Sequence, residues 1–245
     1  MLRVNSIEKR FDKQDVLKKI SFSLSEGEVL AVLGKSGCGK TTLLKVLAGL
    51  ESQDLGEISW DNQPVHQLSA AEREMVYVFQ EPMLFPHLNV FENIAFGLRI
   101  RKYSETEVQQ KVDRMIMELA LEGHERKLPS QLSGGQKQRV AFGRAVVFSP
   151  RVLLLDEPFA SLDPQTRSTM QQVFLKVARD YQITALFVTH DVKEALVIGD
   201  QFALMEDGQF TVYKDKETFV KDPVTGVQRE LLFWKEIEHK SIEIR

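Results

Sequence analysis

Apolar positions follow three regimes along the chain. Leu2, Val4 and Ile7 open it, and Ile20, Phe22 and Leu24 then interleave with Ser21, Ser23 and Ser25. A period of two predicts half-buried strands. The Glu26-Gly27 turn leads into a continuous apolar run from Val29 to Leu33, a third strand, and Phe11 falls in a polar turn between the first two. Gly56–Trp60 and Met75–Phe79 predict two more short strands, the second ending at Gln80.

From about 87 to 147 the spacing becomes helical. Ser104 and Glu107 predict a capping box for a helix carrying Val108, Val112, Met115, Ile116 and Leu119. Polar Gln136 to Arg139 lead into another helix with Val140, Ala141, Ala145 and Val146. Strand and helix then alternate again. Val152–Leu155 is wholly apolar, as a strand buried in a parallel sheet is, and Ile183–Val188 reads as another buried strand. Between them Asp163-Pro164 predicts an N-cap and first turn for a helix to about Arg179. Gln201–Met205 and Phe210–Tyr213 close the sheet region around an Asp207-Gly208 hairpin. An α/β core interrupted by a mostly helical insertion is the expectation. Beyond Pro223, Val227, Leu231 and Trp234 share a helical stripe, while Ile242 and Ile244 alternate like a strand. A tail packed on the core and a partner-binding helix are both open there.

Composition narrows the setting. The 245 residues, 43% apolar and 27% charged, suit a soluble protein of one large domain or two lobes. A net charge of −3 gives no global push toward nucleic acid or anionic membrane. One cysteine, Cys38, excludes an intrachain disulfide framework and suits a reducing cytoplasm. No uncharged apolar run reaches the ~18 to 20 residues that span a bilayer, and the N-terminus lacks a secretory core. A membrane role is expected only through a partner.

The chemistry begins at Gly34-Lys35-Ser36-Gly37-Cys38-Gly39-Lys40-Thr41-Thr42, between the Val29–Leu33 strand and a helical stripe of Leu43, Leu44, Leu47 and Leu50. Gly34, Gly39, Lys40 and Thr41 fit the phosphate-binding loop. Glycines let several backbone N–H groups converge on one anion, and the following helix adds its positive end. Lys40 is placed for the β/γ-phosphates of a nucleoside triphosphate and Thr41 for Mg²⁺. An ordinary Gly-rich turn is the bland alternative, and the strand-loop-helix order speaks against it.

Two more motifs extend this. The Val152–Leu155 strand ends in Asp156 and Glu157: Asp156 is placed to hold the Mg²⁺ shell, Glu157 to take a proton from the attacking water. Leu132-Ser133-Gly134-Gly135-Gln136 repeats the first device, a small hydroxyl and two glycines opening a helix. A second phosphate site on one chain makes most sense if it serves another subunit's nucleotide.

These three motifs, in this order and spacing, resemble an ATP-binding cassette (ABC) ATPase domain over roughly residues 2 to 215. The resemblance implies a P-loop NTPase core, a mixed sheet flanked by helices, with an antiparallel β subdomain and an inserted helical subdomain. The ATPase domain would be 1–222, its helical part about 87–147, with a tail at 223–245. It further implies a head-to-tail dimer holding two ATPs and Mg²⁺. On the family pattern Phe11 stacks on adenine, and Gln80 contacts Mg²⁺ and water. Ser133, Gly134, Gly135 and Gln136 meet the nucleotide in trans, Asp163 couples the two sites, and His190 senses the γ-phosphate. The usual Ser-Ala-Leu-Asp reads Ala160-Ser161-Leu162-Asp163 here. Implied partners are a second copy or a paralogous ATPase, transmembrane permease chains and, indirectly, a solute-binding protein. No nucleic acid is implied.

The place implied is the cytoplasmic face of a membrane. A soluble cassette protein of repair, translation or iron–sulfur assembly is the alternative class; the chain has neither the long coiled coils of the first nor the two cassettes of the second. Gln80–Leu98 resembles importer ATPases for polyamines, ferric iron, sulfate and molybdate. Met83, Leu84, Phe85 and Leu88 there suit either a groove for a permease helix or a satellite core under a loop. The β-rich regulatory domain of many such importers is not expected.

Overall fold

In the computed structural model, which describes residues 1–242, the alternating region forms strands β1 (Leu2–Phe11) and β2 (Gln14–Leu24). Strand β3 (Val29–Leu33) runs through the glycine loop into α1 (Lys40–Ala48), followed by β4 (Leu55–Trp60), β5 (Gln63–Pro64) and β6 (Met75–Val78). The helical insertion is α2 (Val90–Ile100), α3 (Glu105–Glu118) and α4 (Gly134–Val146). Then come β7 (Val152–Asp156), α5 (Pro164–Asp180), β8 (Ala185–Thr189), α6 (Val192–Ile198), β9 (Gln201–Glu206) and β10 (Gln209–Tyr213). Helices α7 (Lys216–Lys221) and α8 (Val227–Ile242) follow.

Among the described residues the strands form two sheets. The larger runs β10-β9-β3-β8-β7-β6, parallel except for β10. Every residue of β3 and β8 is buried, because helices cover both faces of a parallel sheet. The smaller sheet, β2-β1-β4-β5, is antiparallel. Helix α1 joins the two: Leu43, Leu44 and Leu47 pack in one cluster with Leu2, Ile7 and Ile20 of the small sheet and with Leu154 and Leu186 of the large one. On the other face Phe159, Phe174 and Phe187 join the insertion's Ile94, Met115 and Val140 in a second core. The fold is therefore the expected α/β core with a mixed sheet, an antiparallel β sheet and a helical insertion.

Local chemistry explains the boundaries. Ser104 and Glu107 form the expected capping box, with Oγ of Ser104 accepting from the Glu107 N–H at 3.3 Å and Glu107 accepting from the Ser104 N–H at 2.9 Å. Asp207 (φ 47°) and Gly208 (φ 78°) both lie in the left-handed region that a tight hairpin needs.

Some boundaries moved. Leu50 is outside α1 and exposed, because Gly49 (φ 74°) stops the helix and the Leu50 N–H turns back to the Lys45 carbonyl at 2.9 Å. Phe11 ends β1, opposite Gln14, instead of lying in the turn. Strand β6 stops at Val78, two residues short of Gln80. Gln136–Arg139 lie inside α4, because Ser133 caps that helix before Gly134. In the tail the helical stripe of Val227 and Leu231 docks beside Val192 and Phe219, and the helix continues through Ile242. The strand expected around Ile242 is thus overturned; Ile244 lies outside the described residues. Helices α6 and α7, too short for a periodic signal, went unread in the sequence.

Candidate functional site

The site starts where β3 ends. A Cβ on Gly34 would sit 2.5 Å from the Met205 carbonyl oxygen, so only glycine lets the chain leave the strand here. Gly39 caps α1 at φ 110°, a backbone that side chains disfavour. Lys40 is buried beneath the loop, and its Nζ donates to the carbonyl oxygens of Gly34 at 2.6 Å and Lys35 at 3.0 Å. That wrap holds the loop as a curved cradle.

Strand β7 delivers the carboxylates beside it. Asp156 Oδ2 accepts from the Thr41 hydroxyl at 2.9 Å and from the Tyr77 hydroxyl. Burial, reinforced by the Asp156 charge, pushes the Tyr77 phenol well above its usual range, so it stays a donor. Glu157 has φ 46°, which few non-glycine residues adopt, and its N–H donates to the Val188 carbonyl at 3.1 Å. Its carboxylate lies 3.4 Å from Lys40 Nζ and accepts from His190 Nδ1 at 2.7 Å. A carboxylate acceptor there calls for a proton on Nδ1 of the ring.

Ser36, Gly37, Gly39, Lys40, Thr41, Thr42, Gln80, Asp156, Glu157 and His190 all line one cleft of about 480 Å³, which Val16 of β2 completes. Its Thr41 hydroxyl, Asp156 carboxylate and Gln80 amide are oxygen donors, which suits a hard cation such as Mg²⁺. Among the described residues no group of three or more His, Cys, Asp and Glu could hold a metal alone. Gly34, Lys35 and Cys38 line a neighbouring cavity of about 620 Å³ with Glu206 and Glu230.

Ser133–Gln136 and Asp163 stand apart from this cleft. Ser133 and Gly134 are exposed at the start of α4, where Ser133 Oγ accepts from the Gln136 N–H at 3.3 Å and Gln136 Oε1 from the Ser133 N–H at 2.9 Å. A Cβ on Gly135 would meet Thr166 Cγ2 at 2.4 Å, so this glycine lets the starts of α4 and α5 touch. Asp163 caps α5 through the Thr166 N–H at 3.0 Å, and the Thr166 side chain, helped by that backbone contact, holds its carboxyl below the usual range. Phe11 joins neither group. It is 43% exposed, with Lys9 Nζ 5.0 Å from its ring centre.

Sequence reasoning missed Val16 and Tyr77. Their only signals were positional: Val16 follows the β1–β2 turn, and Tyr77 lies three residues before Gln80 on the strand beside β7.

A phosphate loop between a central parallel strand and a helix, facing a strand that ends in two carboxylates, defines a P-loop nucleotide-binding fold. The chain superposes on CbiO1 from Clostridium perfringens, part of the ABC transporter complex CbiONQ, with a TM-score of 0.83 over 98% of both chains at 30% identity. It matches the family described as ABC transporter over residues 17–160, and it belongs to that family. Its relatives include proteins named spermidine/putrescine import ATP-binding protein PotA. The one from Mycoplasma capricolum is 43% identical over 223 residues, 91% of this chain and 64% of that protein. The one from Protochlamydia amoebophila is 46% identical over 202 residues, 82% of this chain and 54% of that protein. The chain thus spans between half and two thirds of these relatives' length. No helix among the described residues is long and apolar enough to cross a membrane.

Proposed function

We propose that this chain is the ATP-hydrolysing subunit of an ABC importer, working from the cytoplasmic face of a membrane through separate permease chains. It would close head-to-tail with a second copy or a paralogue around two ATPs. The observation that carries this reading is the split of the site. Lys40, Thr41, Gln80, Asp156, Glu157 and His190 converge on one cleft, while Ser133–Gln136 opens on solvent elsewhere. A helix start with an exposed serine and glycine is suited to phosphate, and a partner's cleft would supply that phosphate.

The chemistry follows from the contacts. Lys40 is the cation for the β/γ-phosphates, and α1 adds its positive end. Thr41, Asp156 and Gln80 would hold Mg²⁺, which neutralises phosphate charge. Glu157 orients the attacking water and accepts its proton, and His190, tied to Glu157, reaches the γ-phosphate. Phe11, exposed at the end of β1, would stack on adenine. Hydrolysis removes the γ-phosphate that both chains grip, so nucleotide state biases an open–closed equilibrium. The relatives' names favour a polyamine as the transported solute.

Docking on a permease is supported by the segment after Gln80. Met83 is 60% exposed and Ile100 63%. Leu84 and Phe85 are half-buried, and Phe85 packs on Phe96 at 4.4 Å between ring centres. Copurification from native membranes tests the reading. Recovery of a multispanning chain, with ATPase activity that rises when a polyamine and its binding protein are supplied, is expected. Recovery of no membrane partner would overturn it.

A further inference from the structure

The Ser133–Gln136 loop is held by more than its own capping box. Gln136 Oε1 accepts from the Ser133 N–H, which orients the amide because a backbone N–H can only donate. The amide nitrogen then points at His124 Nε2, 2.9 Å away, and must donate to it. His124 Nε2 is therefore the acceptor, and the ring proton sits on Nδ1, 3.0 Å from the Glu122 carbonyl oxygen. One chain of hydrogen bonds runs from Glu122 through His124 and Gln136 to the backbone of Ser133. His124 is half-buried, outside the nucleotide cleft, on the connection between α3 and α4.

We infer that His124 is a positioning residue for the nucleotide-gripping loop. By fixing the Gln136 amide it keeps the Ser133 N–H tied back and the Ser133–Gly134 edge presented outward. Without the imidazole acceptor, the Gln136 NH₂ group loses its partner in the chain, the side chain is held only by its bond to the Ser133 N–H, and the loop is less firmly held in a single conformation. This inference rests on the proposed function, in which that loop meets ATP across a dimer.

The test uses the full chain in a Glu157→Gln background, in which bound ATP should persist, and measures ATP-driven dimerisation by sedimentation. His124→Leu removes the acceptor at similar size. His124→Gln restores an oxygen near the Nε2 position. His124→Leu should weaken dimerisation about tenfold, the scale of one lost hydrogen bond in each of two loops. It should leave ATP affinity of the monomer and the melting temperature within error, and His124→Gln should recover most of the loss. Dimerisation of His124→Leu as tight as the parent's would overturn the inference while leaving the proposed function standing. A parent that stays monomeric with ATP bound would overturn both. Equal falls in monomer ATP affinity and melting temperature would mark His124 as merely structural and overturn the positioning role.

Discussion

Lys40 Nζ lies 3.4 Å from the Glu157 carboxylate, so the phosphate-loop cation and the carboxylate after the β7 strand are partners. Both are largely buried, at 5% and 15% side-chain exposure. ATP must compete for the lysine. Replacing Lys40 therefore removes the phosphate's cation and takes the lysine partner from the Glu157 carboxylate. Lys40→Ala should weaken ATP binding by at least about 100-fold, measured by calorimetry. Binding within threefold of the parent would contradict the loop's assignment.

Glu157→Gln should act on a different step. The amide keeps a contact with His190 but cannot take a proton from water. Turnover should fall by about 10²- to 10⁴-fold with ATP affinity nearly unchanged. Unchanged turnover would remove Glu157 from the role of base.

Phe11→Ala should raise the dissociation constant for ATP, and for adenosine compounds generally, by about 5- to 10-fold, the scale of one lost aromatic stack. Maximal turnover should change less. Equal affinity for ATP before and after the change would show that the exposed ring does not meet the base.

Gly134 and Gly135 should separate by readout. A Cβ at Gly134 meets nothing within 4 Å, whereas one at Gly135 strikes Thr166. Gly134→Ala should leave the melting temperature level or slightly raised yet cut ATPase activity, because the crowding arises only against a partner's phosphates. Gly135→Ala should lower stability by about 1–3 kcal/mol, the range for overpacking. Thermal melts and turnover assays on both variants decide this. Full activity in Gly134→Ala would contradict the trans role.

Burial, the largest influence on Cys38, pushes its thiol above the usual cysteine range against the lowering effect of Lys40. Less thiolate exists near neutrality than on an exposed cysteine, so iodoacetamide should react slowly at pH 7.5 and faster as pH rises toward the folded value. The same raised pKa means that its contribution to stability is lost as pH climbs through that value. A Cβ built on Gly34 would already lie 2.8 Å from the sulfur, so an adduct has little room and labelled protein should bind ATP less well. Labelling as fast as a small free thiol at neutral pH would refute the burial argument.

Much of this was legible because burial writes itself into sequence. β3, β7 and β8 are enclosed on both faces and read as apolar runs, and the ends of β7 and β8 deliver the cleft residues Asp156, Glu157 and His190. The unread parts depend on contacts between distant elements. Tyr77 reaches Asp156 only because β6 lies beside β7, and His124 reaches Gln136 across twelve residues through a turn with no periodicity. Ile242 alternates with Ile244 on paper, but a helix begun at Val227 and anchored by Leu231 carries through it. Leu50 fits the stripe of α1, and a left-handed glycine cuts it off.

In the proposed dimer one chain holds half of each catalytic site. The most direct test is ATPase activity per chain as the protein is diluted, with sedimentation run on the same samples. Specific activity should fall in step with the fraction of ATP-bound dimer and vanish where only monomer remains. Undiminished turnover at concentrations where sedimentation finds only monomer would contradict it.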